Sequence, residues 1–123
     1  MIVAGVMSGT SADGINVALV RFDTRRAASG KPALIGHAEY PYAANVRRAV
    51  LAAMNAQSAR VADLSRLNFL LGELYADAVL ATQKRFRVKA DLVGCHGQTI
   101  YHQGESAAYL GRRIAVTWQT GEG

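Results

Sequence analysis

An α/β domain whose mixed sheet begins as a β-hairpin is the fold class this sequence predicts, and three observations predict it. Two short apolar runs flank a small polar stretch that closes on Asp13-Gly14, a pair that favours tight hairpin turns. A long stripe of Leu and Ala steps by three and four residues between positions 64 and 81, the period of one helix face. A third apolar run, residues 91–95, then delivers His96, Gly97, Gln98 and Thr99, which is where interior strands of α/β sheets present functional groups.

Taken in order, Ile2 through Met7 reads as a buried strand, bounded by Ser8-Gly9-Thr10-Ser11. Residues 15–22 alternate in part and form the second arm of the hairpin. Residues 23–32 mix Arg, Ser, Gly and Pro without period and read as a loop. Residues 33–40 resume a strand pattern. Asn45 is placed to cap a short helix over 46–54, where Val46, Ala49, Val50 and Ala53 recur at helical spacing. The long helix runs from 61 to 85, with Leu64, Leu67, Leu71, Leu74, Ala78 and Ala81 as its core stripe. Its basic end, Lys84-Arg85, suits the negative pole of the helix dipole. After the interior strand at 91–95, Ile100-Tyr101 and residues 113–119 read as two further strands around a glycine-containing loop at 104–111.

With 123 residues, 50% hydrophobic and 19% charged, the chain has the composition of one globular domain and no room for a second. No apolar run nears the roughly 18 residues of a membrane-spanning helix, and Met1-Ile2-Val3 opens without a basic, then apolar, secretion signal. A single cysteine, Cys95, excludes an internal disulfide. These features predict a cytoplasmic protein with no membrane partner. The balance of 14 Lys plus Arg against 9 Asp plus Glu leaves a net charge of +5, which attracts anions at long range. The surplus is scattered among Arg25-Arg26, Arg47-Arg48, the 84–89 segment and Arg112-Arg113, without an aromatic platform, which argues against nucleic acid as a partner.

The stretch Gly9-Thr10-Ser11-Ala12-Asp13-Gly14 is the most informative. Its glycines allow close backbone approach, and its hydroxyls and N–H groups can face an anion such as a phosphate. It is not a Walker A loop, because Ile15 follows the second glycine where Lys-Ser or Lys-Thr would stand; a plain polar hairpin turn is the alternative. Asp13 can orient a divalent cation beside phosphates or simply form the turn. His96 offers acid/base or hydrogen-bonding chemistry at a strand end, and Gln98 with Thr99 can meet sugar hydroxyls. His37, His96 and His102 lack the spacing of a zinc site. Cys95, inside an apolar run, is expected to be a buried and inert thiol.

Three motifs in this order resemble the anhydro-N-acetylmuramic acid kinases. They are Gly-Val-Met-Ser-Gly-Thr-Ser-Ala-Asp-Gly-Ile-Asn-Val-Ala-Leu at 5–19, Leu-Asn-Phe-Leu-Leu-Gly-Glu-Leu-Tyr-Ala-Asp-Ala at 67–78, and Gly-Cys-His-Gly-Gln-Thr-Ile at 94–100. The resemblance runs from residue 2 to the Gln-Thr-Gly-Glu-Gly end and spans about the first third of such a kinase. It implies an incomplete ribonuclease-H-like lobe of the acetate and sugar kinase, Hsp70 and actin superfamily. It also implies ATP with Mg2+ as cofactors and 1,6-anhydro-N-acetylmuramic acid as substrate, hydrolysed and phosphorylated to N-acetylmuramic acid 6-phosphate during cell-wall sugar recycling. Gly9, Thr10, Ser11, Ala12, Asp13, Gly14, Ile15 and Asn16 match the ATP-contacting segment, and His96, Gly97 and Gln98 match the turn beside the sugar. Asn16, Cys95 and Thr120 stand where the family commonly has Asp, Ser and an aliphatic residue. The general-base aspartate belongs to a later motif, so these 123 residues are expected to contain no catalytic residue and to turn over negligibly alone.

Two other readings stand beside this one: a non-catalytic basic module that binds anions or nucleic acid, and a fragment that self-associates as a homodimer through an uncovered apolar face. Salt-dependent titration with labelled DNA and RNA separates the first from the kinase reading. No binding is expected at about 0.15 M salt, whereas tight binding with a steep salt slope would favour the nucleic-acid module.

Overall fold

The computed structural model describes residues 1–23 and 31–121. The element order is β1 (Ile2–Ser8), β2 (Gly14–Arg21), β3 (Ala33–Pro41), α1 (Ala44–Ala53), α2 (Val61–Phe86), β4 (Leu92–Tyr109) and β5 (Arg112–Thr120). Most of the loop expected at 23–32, the Arg25-Arg26 pair within it and the Glu122-Gly123 end lie outside the described residues.

The strands form one mixed sheet in the order β3-β2-β1-β4-β5. β1 pairs antiparallel with β2 and β2 with β3, as successive hairpins, and β4 pairs antiparallel with β5. β1 and β4 are parallel. Parallel neighbours need a long crossover, and α1 and α2 supply it. Asp91 fixes where the pairing begins: the Ile2 amide donates to its carboxylate at 2.7 Å, and its own amide donates to the Ile2 carbonyl at 2.8 Å.

Alternation along the strands decides which side meets the helices. Ala4, Val6, Ile15, Val17 and Leu19 point to one face and are buried there with Leu71, Tyr75, Ala78 and Val79 of α2. Val46 and Val50 bring α1 into the same core. The other face carries Met7, Leu34 and Leu92, 54%, 66% and 56% exposed, and no described helix covers it. α2 ends at Arg87, whose left-handed backbone (φ 54°) lets its amide reach the Gln83 and Lys84 carbonyls. The Gln83 side-chain oxygen then accepts from the Ala90 amide at 2.7 Å, turning the chain into β4.

Four expectations need correction. The hairpin turns at residues 9–12, where the Ala12 amide donates to the Gly9 carbonyl at 3.1 Å and Ala12 takes the positive φ of 53°; Asp13-Gly14 instead leads into β2. Gly14 is needed for another reason, since a Cβ there would collide with the Tyr40 carbonyl and stand 2.7 Å from the Pro41 Cα. Asn45 lies inside α1, with Ala43 at the cap; its oxygen accepts from the adjacent Val46 amide. β4 runs unbroken to Tyr109, so the separate strand at 100–101 and the loop at 104–111 merge into one long hairpin arm that turns at Leu110-Gly111. Ala49 and Ala81 are exposed, which narrows both helical stripes.

Leu71 is wholly buried and Leu80 is 63% exposed on the same helix. In urea unfolding, Leu71→Ala is expected to cost about 2–5 kcal/mol and Leu80→Ala about 0.5 kcal/mol or less. Equal costs would contradict the assigned helix face.

Candidate functional site

Because β1 and β4 run parallel, the C-terminal end of β1 at Ser8 pairs with Gln98, seven residues into β4, and the β1–β2 loop sits beside the His96-Gly97-Gln98 stretch. A register shift between Val6 and Ser8 marks a bulge: Val6 pairs with Cys95, but Ser8 pairs with Gln98. Gly97 absorbs the extra residue. Its φ is +75°, and a Cβ on it would stand 2.7 Å from the Thr120 carbonyl, so only glycine fits.

Beneath the loop lies a buried cluster of polar side chains. Ser8 Oγ and Tyr42 Oη are 2.7 Å apart, Tyr42 and Tyr75 hydroxyls 3.4 Å, and the Tyr42 hydroxyl donates to Gln98 Oε1 at 3.5 Å. Gln98 Nε2 donates to the Gly9 carbonyl at 3.1 Å and to the Thr99 carbonyl at 3.3 Å. Every buried side-chain nitrogen and oxygen among the described residues has a partner, as a stable interior requires. Burial, above all, raises the Tyr75 hydroxyl far beyond the ordinary tyrosine range, with Tyr42 adding to the rise and the Ser8 hydrogen bond opposing it.

Of the eight residues matched to a nucleotide-binding segment, Ala12 and Ile15 are buried in the core, so their side chains are not available to a ligand. Thr10 and Ser11 are exposed, and no hydrogen bond ties either of them to another described residue. A Cβ on Gly9 would meet nothing closer than Ser11 Oγ at 3.7 Å. The Asp13 carbonyl accepts from the Tyr42 amide at 3.0 Å, while its exposed carboxylate faces Arg47 at 3.5 Å, a pair worth little in water. Asn16 is directed to the helix-free face, where its Oδ1 lies 3.1 Å from His37 Nε2. The loop and the turn are thus brought together through Gly9 and Gln98, and Asn16 is not part of that group.

On the helix side, α2 and the ends of β4 and β5 enclose a cleft of about 540 Å3. His96 and Gly97 border it, with Cys95, Trp118, Gln119 and the α2 residues Val61, Leu64 and Asn68. Gln98 is fully buried behind this wall, not on it. Cys95 is exposed, against the expected buried thiol; α2 packs mainly over β2 and β3, and Val93 and Cys95 on β4 remain open beside it. Among the described residues no three His, Cys, Asp or Glu side chains converge as a metal site, and no helix is long and apolar enough to cross a membrane.

Sequence reading missed Asn68 and Trp118. Asn68 Oδ1 accepts from Thr120 Oγ1 and from the Gly121 amide, each at 2.7 Å, and so pins the end of β5 to α2. The signal was legible: Asn68 sits four residues after Leu64 and three before Leu71, a polar residue within an apolar stripe. It also explains why Thr120, where an aliphatic residue was expected, is buried; its hydroxyl has a partner.

Fold and site together define a mixed α/β domain that sets a glycine-containing loop near a largely apolar cleft bordered by His96 and Gly97. The chain belongs to the anhydro-N-acetylmuramic acid kinase family, whose sequence model matches residues 1–121. Proteins named anhydro-N-acetylmuramic acid kinase from Caldanaerobacter subterraneus subsp. tengcongensis and from Bacillus cereus strain AH820 are 38% and 41% identical to it, over 98% and 99% of this chain. The chain spans 31% and 32% of their lengths, about a third of the curated relatives it matches.

The raised Tyr75 hydroxyl has a pH consequence. A tyrosine in the unfolded chain ionises near pH 10, while the folded one holds its proton to higher pH, so its contribution is complete below about pH 10 and falls as pH rises beyond it. Tyr75→Phe is expected to flatten the alkaline limb of stability, followed by urea unfolding between about pH 9 and 11.5; an unchanged slope would contradict it.

Proposed function

We propose that these residues form the start of the ATP-binding lobe of an ATP-dependent kinase acting on 1,6-anhydro-N-acetylmuramic acid. The lobe is of the ribonuclease-H-like kind: three antiparallel strands, then a helical crossover to a fourth strand parallel to the first, in the order β3-β2-β1-β4, support that reading. The observation that carries it is Gly9. Its φ is not positive, and a Cβ on it would meet only the Ser11 side chain, at 3.7 Å, so the missing side chain keeps the backbone approachable by a phosphate.

The loop's residues fit a phosphate tail. Backbone N–H groups and the unpartnered Thr10 and Ser11 hydroxyls supply donors. Asp13 can hold the water shell of Mg2+, which needs only one or two carboxylates when phosphates provide the rest. ATP when bound supplies the phosphoryl group that passes to the sugar's 6-oxygen. His96 and Gly97 line the cleft where the sugar sits, with the Trp118 ring as an apolar wall. Water opens the 1,6-anhydro bridge at the anomeric carbon and frees the 6-oxygen as acceptor. The base that activates this water is an aspartate from a later part of the family's chain, because phosphoryl transfer relies on positioned groups from both sides of a closing cleft. The 123 residues alone therefore have negligible turnover.

ATP use and the single cysteine favour the cytoplasm. The exposed Tyr109, Leu110 and Val116 of the β4–β5 hairpin, 64%, 88% and 42% accessible, form the surface through which a homodimer would pair.

Gly9→Val tests the loop cleanly, whereas a side chain at Gly14 disrupts β3. In the family-length chain, Gly9→Val is expected to keep the thermal midpoint and lose at least about 100-fold in ATP-dependent phosphorylation of 1,6-anhydro-N-acetylmuramic acid. Unchanged activity would remove the phosphate-loop reading.

A further inference from the structure

We infer that Gln98 is a positioning residue that sets the phosphate loop through the Gly9 carbonyl, and not a group that touches the sugar. The inference rests on the loop and cleft of the proposed function, but its geometry stands apart from them.

Three observations carry it. First, the bulge reverses the side-chain alternation. Cys95 shares the helix-side face with its partner Val6, so an unbroken strand would send Gln98 to the opposite face; the extra residue at Gly97 turns it inward opposite Ser8. Second, the Gln98 amide is spent. Its two N–H groups go to the Gly9 and Thr99 carbonyls, and its oxygen accepts from Tyr42; a primary amide has no third N–H to give. Third, the side chain is wholly buried and is not among the residues lining the cleft.

Gly9 is where this matters. Its carbonyl also accepts the Ala12 amide that closes the turn at 3.1 Å, so one oxygen holds both the turn and the link to β4. Losing the Gln98 donor frees the loop's root from the strand that carries His96, and the amides of Thr10 and Ser11 lose their fixed direction. Placement of the phosphate donors and placement of the cleft turn are therefore joined by one side chain across 89 positions of sequence.

The test is NMR on the full 123-residue chain with two variants. Gln98→Met keeps the volume and removes the donors. Gln98→Glu keeps the shape and can donate to Gly9 only while protonated; burial raises its pKa. Gln98→Met should shift the Thr10 and Ser11 amide signals and lower the Ala12 exchange protection about tenfold. Gln98→Glu should resemble the parent at low pH and the Met variant at high pH, across about pH 5 to 9. A role limited to filling space predicts neither the Met effect nor a pH profile, and loop signals unmoved in both variants overturn the inference. The unmodified chain gives a check that needs no variant: the Gln98 side-chain NH2 should exchange slowly with water and show contacts to the Gly9–Thr10 backbone, and a freely exchanging NH2 would also overturn it. The 123 residues alone are expected to bind nucleotide weakly if at all, so ATP titration of the loop signals in the family-length chain separates the two readings. If Gln98→Met moves the loop and ATP does not, the positioning role stands and the phosphate-loop reading fails; if ATP moves the loop and neither variant does, the reverse holds.

Discussion

Parallel pairing of β1 with β4 is the constraint on which the rest of the molecule depends. Antiparallel neighbours can be joined by a tight turn, but a parallel pair forces the chain back along the sheet through a crossover of a dozen or more residues. α1 and α2 are that crossover, and their apolar stripes find their partner in the same sheet face that the β1–β2 hairpin leaves uncovered. The pairing also brings the β1–β2 turn and the bulge of β4, some 85 residues apart in sequence, side by side. A site assembled from both follows from topology before any side chain is considered.

The polar cluster under that site is costly to bury and costly to break. Ser8, Tyr42, Tyr75 and Gln98 come from β1, the approach to α1, the middle of α2 and the bulge of β4. Each would lose hydration on burial and recovers it from the others, Gln98 also from the Gly9 and Thr99 carbonyls. Four elements must therefore arrive in register together. An apolar core tolerates small sliding of its layers; a hydroxyl network does so far less, because a displaced hydroxyl loses a partner outright. This favours one arrangement of the loop over nearby alternatives.

The fold was largely legible and the site partly so. A short apolar run located β1, partly alternating or strand-like runs located β2 and β3, and the three-four stripe located α2 to within a residue at its C-terminal end, because burial leaves a strong pattern. The start of β4 and all of β5, read at 113–119, were legible, but the continuation of β4 through residues 104–109 was not, since most of its residues are exposed and no burial pattern marks them; the glycine within it read as loop. The turn type was misread because Ala12, not glycine, takes the left-handed conformation. The inward course of Gln98 had no local signature: it depends on a bulge set by the β1 register and by crowding from Thr120, both remote in sequence. Asn68 could have been found as a polar break in an apolar stripe, although its partners could not.

Cys95 opens on the cleft and is the sole cysteine of the chain. The molecule therefore carries one native attachment point on the wall of this cleft. A fluorophore or spin probe joined there would stand on the cleft that His96 and Trp118 also line, reporting local crowding from a single known place without any engineered change to the backbone.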